Sequence, residues 1–274
     1  MTPQMAAHPW LAHYDPDVPK TLAPYPDRTL LDYLDDLARD HPGKPALLFK
    51  GASMTYGGLQ AGSDAFAAAL VPMAVTPGDR VALVLPNAPQ FFVCEFGAWK
   101  AGAIVVPVNP TYSERELEGV LESTRAETVV TLTPFYKRIK AVQGRTRVKR
   151  VIASSIKEYL PAILRLLFGL LKEKKEGHRV AIETNDFWLQ ALLRRHRGAS
   201  RPDIKVRPAD PAVILSSGGT TGTPKGVLGL HREYIASGLQ IYTWTRSAKE
   251  DWTDVVMLPL PMFHVYANLG VQSL

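Results

Sequence analysis

Apolar and polar positions along this chain alternate between two periods, and the switching predicts helices and strands in turn. Leu30, Leu31, Leu34 and Leu37 share one face at helical spacing. Thr29 stands where a capping hydroxyl belongs, and Pro42-Gly43 ends the pattern. Apolar runs at 46–49 and 54–56 are separated by a glycine-bearing turn and read as a hairpin. An alanine-rich helix follows over 59–70. From residue 80 the rhythm is regular: strands over 80–85, 103–106, 128–132 and 150–153 alternate with helices over 89–100, 113–123 and 135–142. Ser113 with Glu116 forms the signature of a capping box. A further apolar run at 212–215 reads as a buried strand, and Gly226-Val227-Leu228 as the strand that returns from it. The fold class predicted is α/β, with mixed, largely parallel sheets covered by helices.

Residues 155–177 break this rhythm. Ile156, Leu160, Ile163, Leu164, Leu167, Phe168 and Leu171 fall on one helical face, and Lys172, Lys174 and Lys175 close the stretch. It is too short to cross a bilayer. An amphipathic helix with a basic end lies flat on an anionic lipid surface; the alternative is a helix packed on the core. The chain divides accordingly into an extended arm (1–28), a first α/β subdomain (29–154), a basic amphipathic insert (155–201) and the start of a second α/β subdomain (202–274).

Charge sharpens that division. The net charge is +6. Residues 134–201 carry 17 basic against 5 acidic side chains, whereas residues 1–133 carry 9 against 15. A basic block this concentrated points to an anionic partner surface. Aromatic residues are not interleaved with the arginines, which disfavours nucleic acid. The single cysteine, Cys94, excludes an internal disulfide and fits a reducing compartment. Among Phe91, Phe92, Val93 and Phe96 it reads as a buried thiol. No leader pattern is read at the start, so the expected location is cytoplasmic, with peripheral contact to the inner membrane face.

The densest chemistry lies between the two late strands, in Ser216-Ser217-Gly218-Gly219-Thr220-Thr221-Gly222-Thr223-Pro224-Lys225-Gly226. Glycines allow close approach of a ligand to the backbone. Successive free N–H groups form an anion nest, and hydroxyls and one ammonium add donors. A polyphosphate is the natural guest. A plain glycine-rich turn leaves Thr220, Thr221 and Lys225 together unexplained. The loop is not a Walker A sequence, because Pro224 precedes the lysine and no Ser or Thr follows it.

This loop resembles the phosphate-binding signature of the acyl-adenylate-forming superfamily, which includes acyl-CoA synthetases and peptide-synthetase adenylation domains. His231-Arg232 follows at the family's spacing. Leu85-Pro86-Asn87, Phe96-Gly97-Ala98-Trp99-Lys100-Ala101-Gly102-Ala103, Val106-Pro107-Val108-Asn109-Pro110-Thr111-Tyr112 and Pro261-Met262-Phe263-His264-Val265-Tyr266 agree as well. The doubled Gly218-Gly219 is most similar to bacterial long-chain fatty acid CoA ligases.

The resemblance implies attack of a carboxylate on the α-phosphorus of ATP, giving an acyl-adenylate and pyrophosphate. Coenzyme A then displaces AMP to form the thioester. Charge neutralisation and alignment should dominate the first step. The residues implied to bind nucleotide are Ser217, Gly218, Gly219, Thr220, Thr221, Gly222, Thr223 and Lys225. Those implied in catalysis are His264, Lys225 and Thr221, with His264 near the reacting carboxylate and Thr220 toward Mg2+. His231 reads as structural, capping the helix that follows. Trp244 and Trp252 read as core residues, with an acyl tunnel as the alternative. The expected partners are a fatty acid and an anionic membrane surface, with a homodimer left open. The family's glutamate-bearing Y-G-x-T-E segment, ribose-binding aspartate, hinge and C-terminal domain have no counterpart here. The chain therefore resembles an amino-terminal half, expected to be nearly inactive alone. Two alternatives stand beside long-chain activation: a ligase for a shorter or aromatic acid, and a non-catalytic membrane-surface fragment.

Overall fold

The computed structural model describes residues 8–217, 225–248, 250 and 252–274. The arm expected to be extended holds a 3-10 turn at Pro9–His13; after it come α1 (Leu30–Asp40), the hairpin β1 (Pro45–Phe49) and β2 (Ala52–Thr55), and α2 (Tyr56–Leu70). There follow β3 (Arg80–Val84), α3 (Pro89–Lys100), β4 (Ile104–Pro107), α4 (Glu114–Thr124), β5 (Thr128–Leu132), α5 (Tyr136–Gln143) and β6 (Arg150–Ser154). The remainder comprises α6 (Ala162–Leu167), β7 (Phe187–Trp188), α7 (Leu189–Arg195), β8 (Pro211–Ser216), β9 (Gly226–Leu230) and α8 (His231–Thr245).

Local chemistry accounts for the element ends. Thr29 accepts from the Asp32 N–H while Asp32 accepts from the Thr29 N–H, and Ser113 and Glu116 repeat this reciprocal cap. The two-residue turn joining β1 to β2 holds Lys50 at φ 47° and Gly51 at φ 84°. Positive φ at both positions suits the twist of a tight hairpin.

Seven strands form one sheet in the order β7-β6-β5-β3-β4-β8-β9, parallel throughout except for the final β8–β9 pair. Side chains alternate between its faces. Val81, Leu83, Val105, Val130 and Ile152 enter a core shared with α1, α2, α3 and α7. Ala82, Val84, Val106, Val129 and Val151 enter a second core under α4 and α5. Both faces are covered, as a parallel sheet requires. The approach of α3 to α2 depends on Gly97, where an added Cβ would stand 2.8 Å from the Ser63 carbonyl oxygen. Cys94 is fully buried.

The stretch expected to form one amphipathic helix is broken. A 3-10 turn at Ile156–Tyr159, α6 and a π-helical turn at Phe168–Lys172 replace it. Pro161 causes the break, because the residue before a proline is driven out of the helical region; Leu160 has φ −92° and ψ 151°. Ile156 packs against the core, but Ile163, Leu170 and Leu171 are 70–75% exposed, so the part of the segment after Pro161 turns apolar side chains to the surface. The short strand β7 and the helix α7, which sequence periodicity missed, then return to the sheet.

Candidate functional site

The glycine-rich loop leaves the carboxyl end of β8 and re-enters at β9. Ser216 pairs with Gly226 at the last step of the ladder. Beyond it the Ser217 N–H donates to the Lys225 carbonyl oxygen (2.8 Å), and the Lys225 N–H donates to Ser217 Oγ (3.1 Å). Gly226 is needed at this step, since a Cβ there would lie 2.9 Å from Ile214 Cγ2. Both Ser217 and Lys225 are exposed. The Ser217 amide is committed to the ladder, which leaves its hydroxyl proton as the group free to meet a ligand. Gly218, Gly219, Thr220, Thr221, Gly222 and Thr223, six of the expected phosphate-binding residues, lie outside the described residues.

In the sheet β8 lies beside β4, which lies beside β3, all parallel. Their carboxyl ends therefore share one edge. The chain steps from β3 to β4 on one side and places β5 on the other, the kind of reversal at which open α/β sheets hold ligands. Asn87 follows β3 at that edge. Its amide nitrogen donates to the carbonyl oxygens of Leu258 (3.0 Å) and Leu260 (2.7 Å), and its Oδ1 accepts from the Met262 N–H (2.9 Å). Residues 254–261 have no regular structure of their own, so Asn87 supplies bonds that a neighbouring strand would otherwise make.

A second anchor lies deeper. Asn268 receives the Tyr234 hydroxyl (2.5 Å) and donates to Glu95 Oε1 (2.9 Å), while Gln272 donates to Glu95 Oε2 (2.6 Å). Burial pushes the Glu95 carboxyl up to about 8, against the opposing pull of these two amides. Trp99 packs edge-on against Tyr234 and His231, and its indole N–H donates to the Ala212 carbonyl oxygen (2.8 Å). The helix α3 is thereby bound to β8, α8 and the final residues at once.

His264 lies between the two anchors. It is exposed, with its ring 4.6 Å from that of Phe263. It is therefore not a core histidine held by buried partners. His231 is buried, and burial pulls its imidazole down to about 4. Its expected capping role is not seen: Leu230 is the cap residue, and its N–H is received by Glu233 (3.0 Å). Trp244 and Trp252 are both exposed, packed on Tyr14 and His41 respectively, so neither is a core residue. An apolar cavity of about 380 Å³ lies between α1, α8 and the last residues, lined by Leu34, Leu37, Phe92, Ile235 and Leu239.

The anchoring roles of Asn87 and Glu95 were not assigned from the sequence. Asn87 was visible only as part of Leu85-Pro86-Asn87. Glu95 carried a stronger signal, an acidic residue inside the apolar run Phe91 to Phe96. Thr220, implied for Mg2+, lies outside the described residues, and among those described no three His, Cys, Asp or Glu side chains gather to hold a metal.

Comparison with known proteins bears on this arrangement. The family model described as AMP-binding enzyme matches residues 34–272. A long-chain-fatty-acid–CoA ligase of Bacillus subtilis (strain 168) is 32% identical over 97% of this chain and 47% of its own length. One from Escherichia coli O157:H7 is 31% identical over 94% of this chain and 46% of its own. A solved long-chain-fatty-acid-CoA ligase of Archaeoglobus fulgidus superposes with a TM-score of 0.72 over 95% of this chain and 47% of its own, at 24% identity. The chain spans about half the length of the curated relatives it matches.

Proposed function

The chain belongs to the AMP-binding enzyme family, and from that premise we propose that it carries the nucleotide and acyl face of an ATP-dependent fatty acid CoA ligase. One observation carries the reading. The β8–β9 hairpin delivers Ser217 and Lys225 to the sheet edge at which Asn87 holds the segment leading to His264. A polyphosphate and a carboxylate would there approach from two neighbouring loops. The exposed Lys225 ammonium would offset phosphate charge as the α-phosphorus is attacked. His264 would donate a hydrogen bond to the acyl carboxylate and orient it. Magnesium bound to the nucleotide would supply further charge neutralisation. Coenzyme A would enter in the second half-reaction, on groups beyond the half of the relatives' length that this chain spans.

A long acyl chain is the preferred substrate class, supported by the fatty acid ligases among the relatives. We propose in addition that α6 and the π-helical turn that continues it rest on an anionic membrane surface. Ile163, Leu166, Leu170 and Leu171 are exposed. Lys174 and Lys175 are also exposed, and among the described residues neither forms an ion pair. Among the described residues no helix is long and apolar enough to cross a membrane.

Calorimetric titration of the chain tests the ligase reading. Mg-ATP and two non-reactive acyl-adenylate mimics, the palmitoyl and benzoyl sulfamates of adenosine, are the probes. Mg-ATP should bind and weaken at least tenfold in Lys225→Ala, and the palmitoyl mimic should bind more tightly than the benzoyl one. Tighter binding of the benzoyl mimic would select an aromatic acid instead. Absence of any binding would leave the non-catalytic reading.

A further inference from the structure

We propose that Asn87 and Glu95 are positioning residues that grip the chain on both sides of His264 and fix where its imidazole stands. The inference rests on the ligase reading only in taking His264 to meet the acyl carboxylate.

The exposed His264 imidazole cannot be located by buried partners. Its position has to come from its backbone. Before it, residues 258–262 lack a ladder, yet three of their main-chain groups are bonded to the one side chain of Asn87. Two carbonyls receive and one N–H donates, so the planar amide fixes register as well as distance. Met262 is fully buried behind this contact. After His264, the main chain turns back on itself, the Asn268 N–H donating to the His264 carbonyl oxygen (3.0 Å). The side chains of Asn268 and Gln272 then converge on the two oxygens of Glu95.

Both anchors come from one unit of structure. Asn87 lies in the turn after β3, and Glu95 projects from α3, the helix that follows. The first α/β crossover thus reaches more than 170 residues along the chain to hold the backbone on both sides of His264. Glu95 is completely buried, and each of its oxygens has an amide partner. A carboxyl group is expensive to hold in such a place. A purely apolar contact would pack α3 as well but would not specify the rotation of the segment.

The test compares Asn87→Ala, Asn87→Asp, Glu95→Gln and Glu95→Ala in this chain by two readouts. The first is the ring resonances of 15N-labelled histidine, with His264 assigned from His264→Asn. The second is the affinity of the palmitoyl sulfamate of adenosine. In Asn87→Ala the His264 resonances should shift from their wild-type positions, those of buried His231 should stay in place, and affinity should fall about tenfold or more. Asn87→Asp keeps the acceptor for Met262 but sets a carboxylate oxygen against the carbonyls of Leu258 and Leu260, so it should move the resonances at least as far. Glu95→Gln keeps an acceptor for Asn268, and its new amide N–H can donate to Gln272 Oε1, which has no partner among the described residues, once the Gln272 amide turns over. It should keep the wild-type His264 resonances, whereas Glu95→Ala should not. Unchanged His264 resonances in a folded Asn87→Ala protein overturn the proposal. Should Asn87→Ala not fold, unchanged resonances in Asn87→Asp do the same. Failure of the wild-type chain to bind the mimic would instead strike the ligase reading, and the resonances alone would then decide this one.

Discussion

The side-chain oxygen of Asn87 accepts the backbone N–H of Met262 at 2.9 Å, joining positions 175 residues apart. The contact ties the end of a central strand to the segment that presents His264. The stability it contributes is measurable apart from any activity. Asn87→Ala removes three hydrogen bonds, each worth about 1 kcal/mol net. Urea unfolding should show a loss of about 2–3 kcal/mol, and Asn87→Asp, which faces the two carbonyls with a carboxylate oxygen, a loss at least as large.

Glu95 makes the fold sensitive to alkali. Its carboxyl is pushed up to about 8 by burial, above the ordinary 4.5. The folded state therefore holds a proton that the unfolded chain has released. The stability this represents is complete below pH 4.5 and is lost as pH rises toward 8, with a slope of up to about 1.4 kcal/mol per pH unit. Glu95→Gln should flatten that limb of the stability curve and be the more stable protein above pH 8.

His231 acts on the acid side. Burial holds its imidazole near 4, below the ordinary 6.5. The unfolded chain takes up the proton first, so stability present above pH 6.5 is lost as pH falls toward 4. His231→Phe should reduce the slope of thermal stability against pH between those values, whatever its effect at neutral pH.

Gly97→Ala should destabilise the protein by about 1–3 kcal/mol, because the added methyl has no room between α3 and α2. Gly119→Ala serves as the control, since nothing lies within 4 Å of a Cβ at that helical position. Thermal melts of the two variants should separate clearly.

Leu166→Glu with Leu170→Glu should leave unfolding stability within about 0.5 kcal/mol, as both side chains are exposed. The same pair should abolish flotation with vesicles of phosphatidylcholine and phosphatidylglycerol. Flotation of the double variant equal to wild type would remove α6 from the membrane proposal, and a concentration-dependent mass in ultracentrifugation would assign that face to a second copy.

Much of the fold was legible because its signals are local. The helix over 89–100 and the strand over 128–132 follow from apolar runs bounded by proline, glycine and polar residues, and Thr29 and Ser113 declare their caps through a residue three positions on. Leucine periodicity alone overstates the helix after residue 155, because it does not carry the constraint Pro161 places on Leu160. The strand β7 is only two residues long and exists through its pairing with β6, a relation that no local pattern carries. The base of the glycine-rich loop was legible for the same local reason, whereas the grip of Asn87 and Glu95 on the far end of the chain was not. Those contacts are set by how the crossover packs. A lone Glu among phenylalanines can only announce that some partner exists.

The doubly bonded pair Ser217 and Lys225 has a bearing on affinity. These two residues, which flank the glycine-rich loop, are held together at one point on the sheet edge. The distance between the flanks is thus settled before any guest arrives. The entropy of bringing those flanks together is therefore lost in folding and not on binding.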